Sequence, residues 1–182
     1  MEFDYIIAGA GSAGCVLANR LSASGRYQVL LLEAGPKDRY PWLHIPIGYA
    51  KTMFHPRYNW RYYTEPDPGM NGRSIYWPRG KVLGGSSAIN GLIYVRGQAE
   101  DYESWAHMGN QGWSWREVLP YFIRSERNVR GADSFHGGTG LQGVSDIGMP
   151  NTLAQAFIDA CAEAGIPKNS DFNGESQEGA CP

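Results

Sequence analysis

The chain has 182 residues, of which 42% are hydrophobic and 19% charged, and its formal net charge is −2. The apolar content excludes a disordered chain, while 24 glycines and 11 prolines indicate a fold rich in turns. The balanced charge, with no block of Lys or Arg, excludes a continuous basic surface that would bind the phosphate backbone of a nucleic acid. No apolar stretch approaches the roughly 20 residues of a membrane span. We therefore expect a globular protein of one domain or slightly more.

The cysteines and the N-terminus indicate the compartment. Cys15, Cys161 and Cys181 are odd in number and form no CxxC pair, which excludes a disulfide scaffold or a cysteine zinc site. The N-terminus carries Glu2 and Asp4 and has no basic region of the kind that starts a signal peptide. We expect a cytoplasmic protein, and peripheral attachment to a membrane stays open.

The first 35 residues predict a strand, a glycine loop, a helix and a second strand. Phe3–Ala8 is a short apolar run, and Tyr27–Leu32 holds consecutive apolar residues typical of a strand that is covered on both faces. Between them, apolar residues recur every four positions from Ser12 to Ser24, which is the spacing of one helix face, and Gly25 is a typical end signal. The pattern predicts a right-handed βαβ unit and an α/β fold.

The glycine loop of this unit, Gly9 to Gly14, has the GxGxxG spacing of Rossmann-like dinucleotide-binding folds. The first glycine permits a tight turn, the second lets the backbone approach a pyrophosphate, and the third lets helix and strand pack closely. The helix start presents free N–H groups to the anion. Glu33 can accept hydrogen bonds from the adenosine ribose and would repel a 2′-phosphate, which argues against NADP. The motif predicts ADP-moiety binding and leaves FAD, NAD and a structural glycine turn as alternatives.

The next segment, residues 36–81, contains prolines throughout, which exclude long regular elements. We expect an extended excursion whose aromatic side chains anchor it to the fold and do not contact substrate. These anchors are predicted to be Trp42, Trp60, Tyr62, Tyr63 and Trp77.

Three helices are predicted further along the chain. The first covers roughly Glu100–Met108, and the second runs from the capping box at Ser114 to about Arg127. Pro120 should kink the second helix because it removes a backbone donor. The third begins at Asn151 and stops at Gly165. Its predicted apolar face consists of Leu153, Ala156, Phe157 and Ala160.

A second glycine-rich loop lies within residues 79–103. Gly84, Gly85, Ser86 and Ser87 can bring the backbone close to a planar ring or a diphosphate, and apolar residues follow. This loop predicts a second contact with a cofactor.

This stretch resembles the first signature of the glucose-methanol-choline (GMC) flavin oxidoreductases, in particular the branch of choline dehydrogenases and related alcohol dehydrogenases or oxidases. The resemblance implies FAD, with the βαβ unit holding its ADP half, Val82–Ile93 along the flavin and Asn90 near its reactive edge. Ile89 stands where some members carry a histidine that bonds FAD covalently, so the resemblance implies dissociable FAD. The matching residues are Gly80-Lys81, Leu83 to Ser87, Ile89-Asn90, Tyr94, Gly97 and Glu103. The residues assigned to cofactor binding are Gly9, Gly11, Ser12, Ala13, Gly14, Glu33, Ala34, Val82, Gly84, Gly85, Ser86, Asn90, Gly91, Leu92 and Ile93.

The resemblance also implies how the chain divides into domains and that the catalytic residues of the family lie outside it. Residues 1–35 and about 76–97 form the FAD-binding part, 36–75 the excursion, and 98–182 a helical insertion with the start of a substrate domain. The chain corresponds to roughly the opening third of family members, so the GMC fold is incomplete here and should fold poorly by itself. The family's catalytic histidine lies beyond it, and we assign no catalytic residue to this chain. His44, His55, His107 and His136 are expected to be structural or surface residues, and no metal site is expected because Asp133 and His136 lack a third ligand.

The expected reaction is hydride transfer from a small alcohol to flavin N5, which gives an aldehyde, with reoxidation by oxygen or a quinone. A non-catalytic dinucleotide-binding module is the main alternative. Another doubly wound enzyme, such as a disulfide reductase, is disfavoured by the lack of CxxC. A purely structural or partner-binding domain leaves both glycine loops unexplained.

Overall fold

The structure, a computed structural model, describes residues 2–148 and 151–181, which divide into two compact units at Ile93 and Tyr94. The first unit contains β1 (Tyr5–Ala8), α1 (Ser12–Ser22), β2 (Val29–Leu32), α2 (Tyr49–Thr52), β3 (Tyr62–Tyr63) and β4 (Tyr76–Trp77). The second contains α3 (Ala99–His107), α4 (Trp115–Ser125), β5 (Glu126–Asn128), β6 (Gln142–Val144) and α5 (Thr152–Glu163). None of the helices in these described ranges combines the length and apolarity needed to cross a membrane.

The predicted strand–helix–strand order and its parallel strand pairing are confirmed. β1 and β2 pair in parallel, with Tyr5 opposite Val29 and Ala8 opposite Leu32. The helix α1 between them ends at Ser22, two residues before the predicted end, and both strands begin two residues later than predicted. The connection agrees with the α/β class expected from the sequence.

The prediction that β2 is covered on both faces is wrong for the described residues. Successive strand residues point to opposite faces, and α1 packs against one of them. Ile7 is buried beneath Gly14 of α1, whereas Ile6 is 65% exposed. In β2, Leu32 is 48% exposed. A two-stranded sheet with one helix across it covers a single face.

The excursion has no long regular element, as predicted. It consists of short 3₁₀ turns, α2 and the antiparallel pair β3–β4. Its predicted anchors are largely wrong, because Trp60, Tyr62, Tyr63 and Trp77 are exposed. The buried residues of this segment are instead polar themselves or lie next to polar groups. Asn59 is 2% exposed and uses its side-chain amide to donate to Met53 O at 2.6 Å and to accept from the Arg61 and Arg79 N–H groups. Tyr58 stacks on Tyr40 beside it.

The helices of the second unit begin where the sequence predicts. The Ser114 N–H and hydroxyl both donate to the Glu117 carboxylate, at 3.1 and 2.6 Å, which forms the predicted cap of α4. The helix ends at Ser125 and not near Arg127, because Glu126 begins β5, which pairs in parallel with β6. That strand pair is not predicted from the sequence.

Helix α5 has the predicted cap but a different buried position. The Asn151 side chain accepts the Leu153 N–H at 2.8 Å, and Gly165 takes a φ of +88° just after the helix. Leu153 and Phe157 of the predicted apolar face are 78% and 67% exposed, while Ile158 is buried.

Candidate cofactor site

The first glycine loop forms an open helix N-terminus in the first unit. Gly9 takes a φ of +96°, and its N–H donates to Leu32 O at 2.7 Å, which fixes the turn that follows β1 against the last residue of β2. Gly11 precedes α1 as a cap without a side chain, and the first turn, which holds Ser12 and Ala13, has no acidic residue. The N–H groups and the positive end of the helix dipole are therefore open to an anion.

Gly14 allows α1 to lie close to the turn. A Cβ at Gly14 would overlap the Gly9 carbonyl and would lie 3.3 Å from Ile7 Cγ2. Because a side chain here would collide with backbone that cannot move aside, the loop keeps its shape only with glycine at this position.

The two predicted cofactor loops adjoin each other. The Gly84 N–H donates to Ala10 O at 2.8 Å. Gly85 has a φ of +59°, and a Cβ on it would lie 2.8 Å from Gly11 Cα. Segments separated by about 70 positions in sequence thus form one continuous backbone surface.

Two further glycines hold the second loop in place. A Cβ at Gly35 would overlap the Lys81 carbonyl, and a Cβ at Gly80 would overlap the Gly85 carbonyl. The Gly80 N–H donates to Ser86 Oγ at 3.1 Å, and Val82 is fully buried. The sequence gives no sign that Gly35 and Gly80 are packing positions, although Gly80 stands among the residues matched to the family signature.

Glu33 connects the segments around the site. Its Oε2 accepts the Ala10 N–H and its Oε1 accepts the Gly35 N–H, both at 2.8 Å. Ala34, which lies between Glu33 and Gly35 in the sequence, is exposed. A carboxylate offers about four lone-pair positions, so these two bonds leave capacity for a ribose hydroxyl.

The far end of the second loop is exposed. Asn90 Oδ1 accepts the Leu92 N–H at 3.1 Å, and Gly91 has open space around it. Leu92 has a φ of +64°, which is unfavourable for a leucine. Leu92 and Ile93 are exposed, at 62% and 75%. Ile89 is buried. The structure therefore brings together Gly9–Gly14, Glu33 and the loop around Gly84, while 90–93 form the loop's exposed end.

The histidines occupy different settings. His55 lies against Tyr58, His44 contacts Asp38 O, and His107 is exposed at the end of α3. His136 is buried among charged side chains, and its backbone N–H donates to Asp133 Oδ1 at 2.7 Å. Among residues 2–148 and 151–181, no three His, Cys, Asp or Glu side chains are arranged so that they could hold a metal ion.

The two glycine loops provide the features that an anionic pyrophosphate needs. An anionic pyrophosphate needs free N–H groups, which the start of α1 supplies. It also needs a backbone surface without side chains, which Gly11, Gly84 and Gly85 supply.

Comparison with known proteins identifies the family. The sequence model described as GMC oxidoreductase matches residues 3–182. The chain belongs to the GMC oxidoreductase family. The oxygen-dependent choline dehydrogenase of Photobacterium profundum is 51% identical to it over 99% of this chain and 32% of the relative.

Solved structures of related proteins share the fold. The pyridoxine 4-oxidase from Mesorbium loti has a TM-score of 0.86 and 36% identity, over 94% of this chain and 34% of that one. The FAD-dependent oxidoreductase from Chaetomium thermophilum has a TM-score of 0.83 and 34% identity, over 98% and 32%. The chain spans about a third of the length of these relatives. The structure therefore corresponds to the N-terminal, flavin-binding part of the GMC fold.

Proposed function

We propose that this chain is the FAD-binding part of an enzyme that oxidises a small alcohol to an aldehyde. The observation that carries the proposal is the junction of the two glycine loops, where Gly84 donates to Ala10 and Gly85 lies against Gly11. This junction offers one surface to the two halves of a dinucleotide. FAD, when bound, supplies the acceptor for the hydride of the alcohol.

The residues of this chain bind and orient the cofactor. Gly9, Gly11 and Gly14 with the N–H groups of Ser12 and Ala13 hold the pyrophosphate. Glu33 binds the ribose, with Ala34 beside it. The flavin lies along a segment whose contacting residues are Val82, Gly84, Gly85, Ser86, Asn90, Gly91, Leu92 and Ile93.

The FAD is held without a covalent bond. Ile89 is buried and aliphatic, so it has no atom that could attack the flavin. No other residue of the loop is assigned that role. The proposed FAD-binding region comprises residues 1–35 and about 76–97.

The relatives support a proposal for the substrate and the electron acceptor. The similarity to an oxygen-dependent choline dehydrogenase supports a small alcohol of the choline type and reoxidation by oxygen, with a quinone as the other acceptor. We assign no catalytic residue to this chain and place the protein in the cytoplasm, with peripheral membrane association left open.

A direct experiment is to purify the chain as it is produced in cells and record its absorbance spectrum. We expect a flavin spectrum. After denaturation and ultrafiltration the colour should pass into the filtrate as FAD. Colour retained with the unfolded polypeptide would contradict non-covalent binding, and a bound nicotinamide nucleotide would contradict FAD.

A non-catalytic dinucleotide-binding module is the second candidate, favoured because the residues that we assign in this chain bind the cofactor and none of them is catalytic. Because we assign no catalytic residue to this chain, anaerobic addition of choline to the flavin-loaded product of the complete reading frame separates the two. Bleaching of the flavin absorbance supports the enzyme, and an unchanged spectrum alongside full FAD binding supports the module.

A further inference from the structure

Four charged side chains form a cluster in the second unit that the proposed function does not use. Arg96 Nη2 lies 2.8 Å from Glu126 Oε2, His136 Nδ1 lies 3.1 Å from Glu126 Oε1, and His136 Nε2 lies 2.8 Å from Asp171 Oδ2. The side chains of Arg96, Glu126 and His136 are 1%, 0% and 6% exposed, and that of Asp171, at the edge of the cluster, is 31% exposed. We call these four residues the buried charge cluster.

The cluster connects three segments that are far apart in sequence. Arg96 also donates through Nη1 to Phe135 O at 2.7 Å, and Glu126 Oε2 accepts the Gly137 N–H at 3.0 Å. The Arg96 N–H donates to the side chain of Asn173, two residues after Asp171. The segments around residues 96, 126–137 and 171–173 therefore meet at these charges.

The charges balance when His136 is protonated. The ring then faces two carboxylates with an N–H on each nitrogen, and two cations offset two anions. A neutral ring has one N–H, so it can donate to Glu126 or to Asp171 but not to both. The Asn128 amide, 3.1 Å from both Glu126 Oε1 and His136 Nδ1, can donate to the Nδ1 of a neutral ring but cannot supply the missing charge. Without the proton of the ring, the cluster carries an excess negative charge next to the fully buried Glu126, which is unfavourable.

We propose that the buried charge cluster is a pH-sensitive latch, in which a proton on His136 holds the segments around Arg96, Glu126 and Asp171 together and loss of that proton releases them. The proposal is independent of the cofactor. The other charged or titratable groups that face the cluster are Asp133, Arg130, its ion-pair partner Asp146, and Cys181.

The direction of the effect follows from the surroundings of the ring. Burial by itself would lower the pKa of His136, but its hydrogen bonds to Glu126 and Asp171 outweigh burial and raise the pKa above the ordinary value. Because closure of the latch raises the pKa of His136, protonation of the ring stabilises the closed form, and this contribution is complete below the ordinary pKa of 6.5. That contribution is lost as pH rises from 6.5 through the raised pKa.

Hydrogen exchange in the complete chain tests the latch. The amides to follow are those of Arg96, Gly137 and Asn173, since each donates to a side chain in or next to the cluster. After correction for intrinsic exchange, their protection should fall about tenfold per pH unit from the ordinary histidine pKa to the raised one. Protection that stays constant from about pH 6 to pH 9 would overturn the proposal.

Variants assign the effect to the ring. His136→Gln should remove the pH dependence, while His107→Gln, at an exposed histidine of the same unit, and Cys181→Ser should retain it. A slope that persists in His136→Gln overturns the proposal. Because that variant could fail to fold, the wild-type ring is also titrated by NMR, and a His136 pKa at or below 6.5 would equally rule out the latch.

Discussion

The candidate cofactor site and the buried charge cluster are stabilised by different physical means, although close glycine packing also occurs in the second unit, where a Cβ at Gly137 would overlap the Ile123 carbonyl. Around the candidate cofactor site, backbone segments approach so closely that a Cβ at Gly35 would overlap the Lys81 carbonyl. In the second unit, Arg96, Glu126 and His136 connect their segments through buried charge. The packing around the cofactor site depends on glycines, which have no side chain. The buried charge cluster depends on charged side chains that pair with each other. Substitutions should therefore damage the two regions through steric overlap in one and unpaired charge in the other.

Removal of the cation from the buried charge cluster should have the largest effect. Arg96→Met leaves Glu126 buried without its closest cationic partner, which lies 2.8 Å away. We expect the free energy of unfolding to fall by about 3–5 kcal/mol, as measured by urea denaturation. Arg127→Met, at the exposed next position of β5, is the matched control and should change little. Equal losses in the two variants would show that the cluster does not stabilise the second unit.

A methyl group at the glycine contact should come next. Gly35→Ala places a Cβ against the Lys81 carbonyl, which is backbone and cannot rotate away. The expected loss is about 1–3 kcal/mol in the same unfolding measurement. Gly148→Ala has open space around the new Cβ and no positive φ, so it serves as the control. If Gly35→Ala unfolds as the wild type does, the close packing is not a constraint.

Glu33 tests the region where charge and backbone packing combine. Glu33→Gln keeps the shape but loses the negative charge and one of the two acceptors that hold the Ala10 and Gly35 N–H groups. We expect FAD affinity to fall about 10- to 100-fold, the size of a charge-assisted hydrogen bond. Titration followed by flavin fluorescence measures it. Glu65→Gln, at an exposed glutamate of the same unit, should bind FAD like the wild type, and an unchanged affinity in both variants would remove Glu33 from the site.

The smallest effect should come from a helix cap outside both regions. Asn151→Ala removes the acceptor for the Leu153 N–H and should reduce stability by about 1 kcal/mol. Asn151→Asp keeps an acceptor and should restore most of it. A loss in the Asp variant as large as in the Ala variant would mean that the capping bond is not the cause.

The features that could be predicted from the sequence are local. The spacing of Gly9, Gly11 and Gly14 predicts a turn at the start of a helix, and the structure has it, because the glycines act on backbone within a few residues of themselves. Asn151 and Ser114 cap their helices for the same reason. The junction of the two glycine loops is expected only through the family resemblance, which carries information about distant contacts.

The features that could not be predicted depend on distant partners. The sequence places Glu126 at the end of a helix, and only its contacts with Arg96 and His136 show why it is fully buried at the start of β5. A three-residue strand of Glu, Arg and Asn has no apolar alternation to reveal it. The face of α5 at Leu153 and Phe157 is predicted from periodicity alone, which gives amphipathicity but does not say what covers the face.

The central claim is that the two glycine loops bind one FAD molecule together. The most direct test is an equilibrium titration of the flavin-free chain with FAD for the wild type, Gly85→Val and Gly148→Ala. We predict one FAD per chain for the wild type and Gly148→Ala, and loss of binding for Gly85→Val, because the valine side chain would enter the space against Gly11. Wild-type affinity in Gly85→Val would contradict a site shared by the two loops.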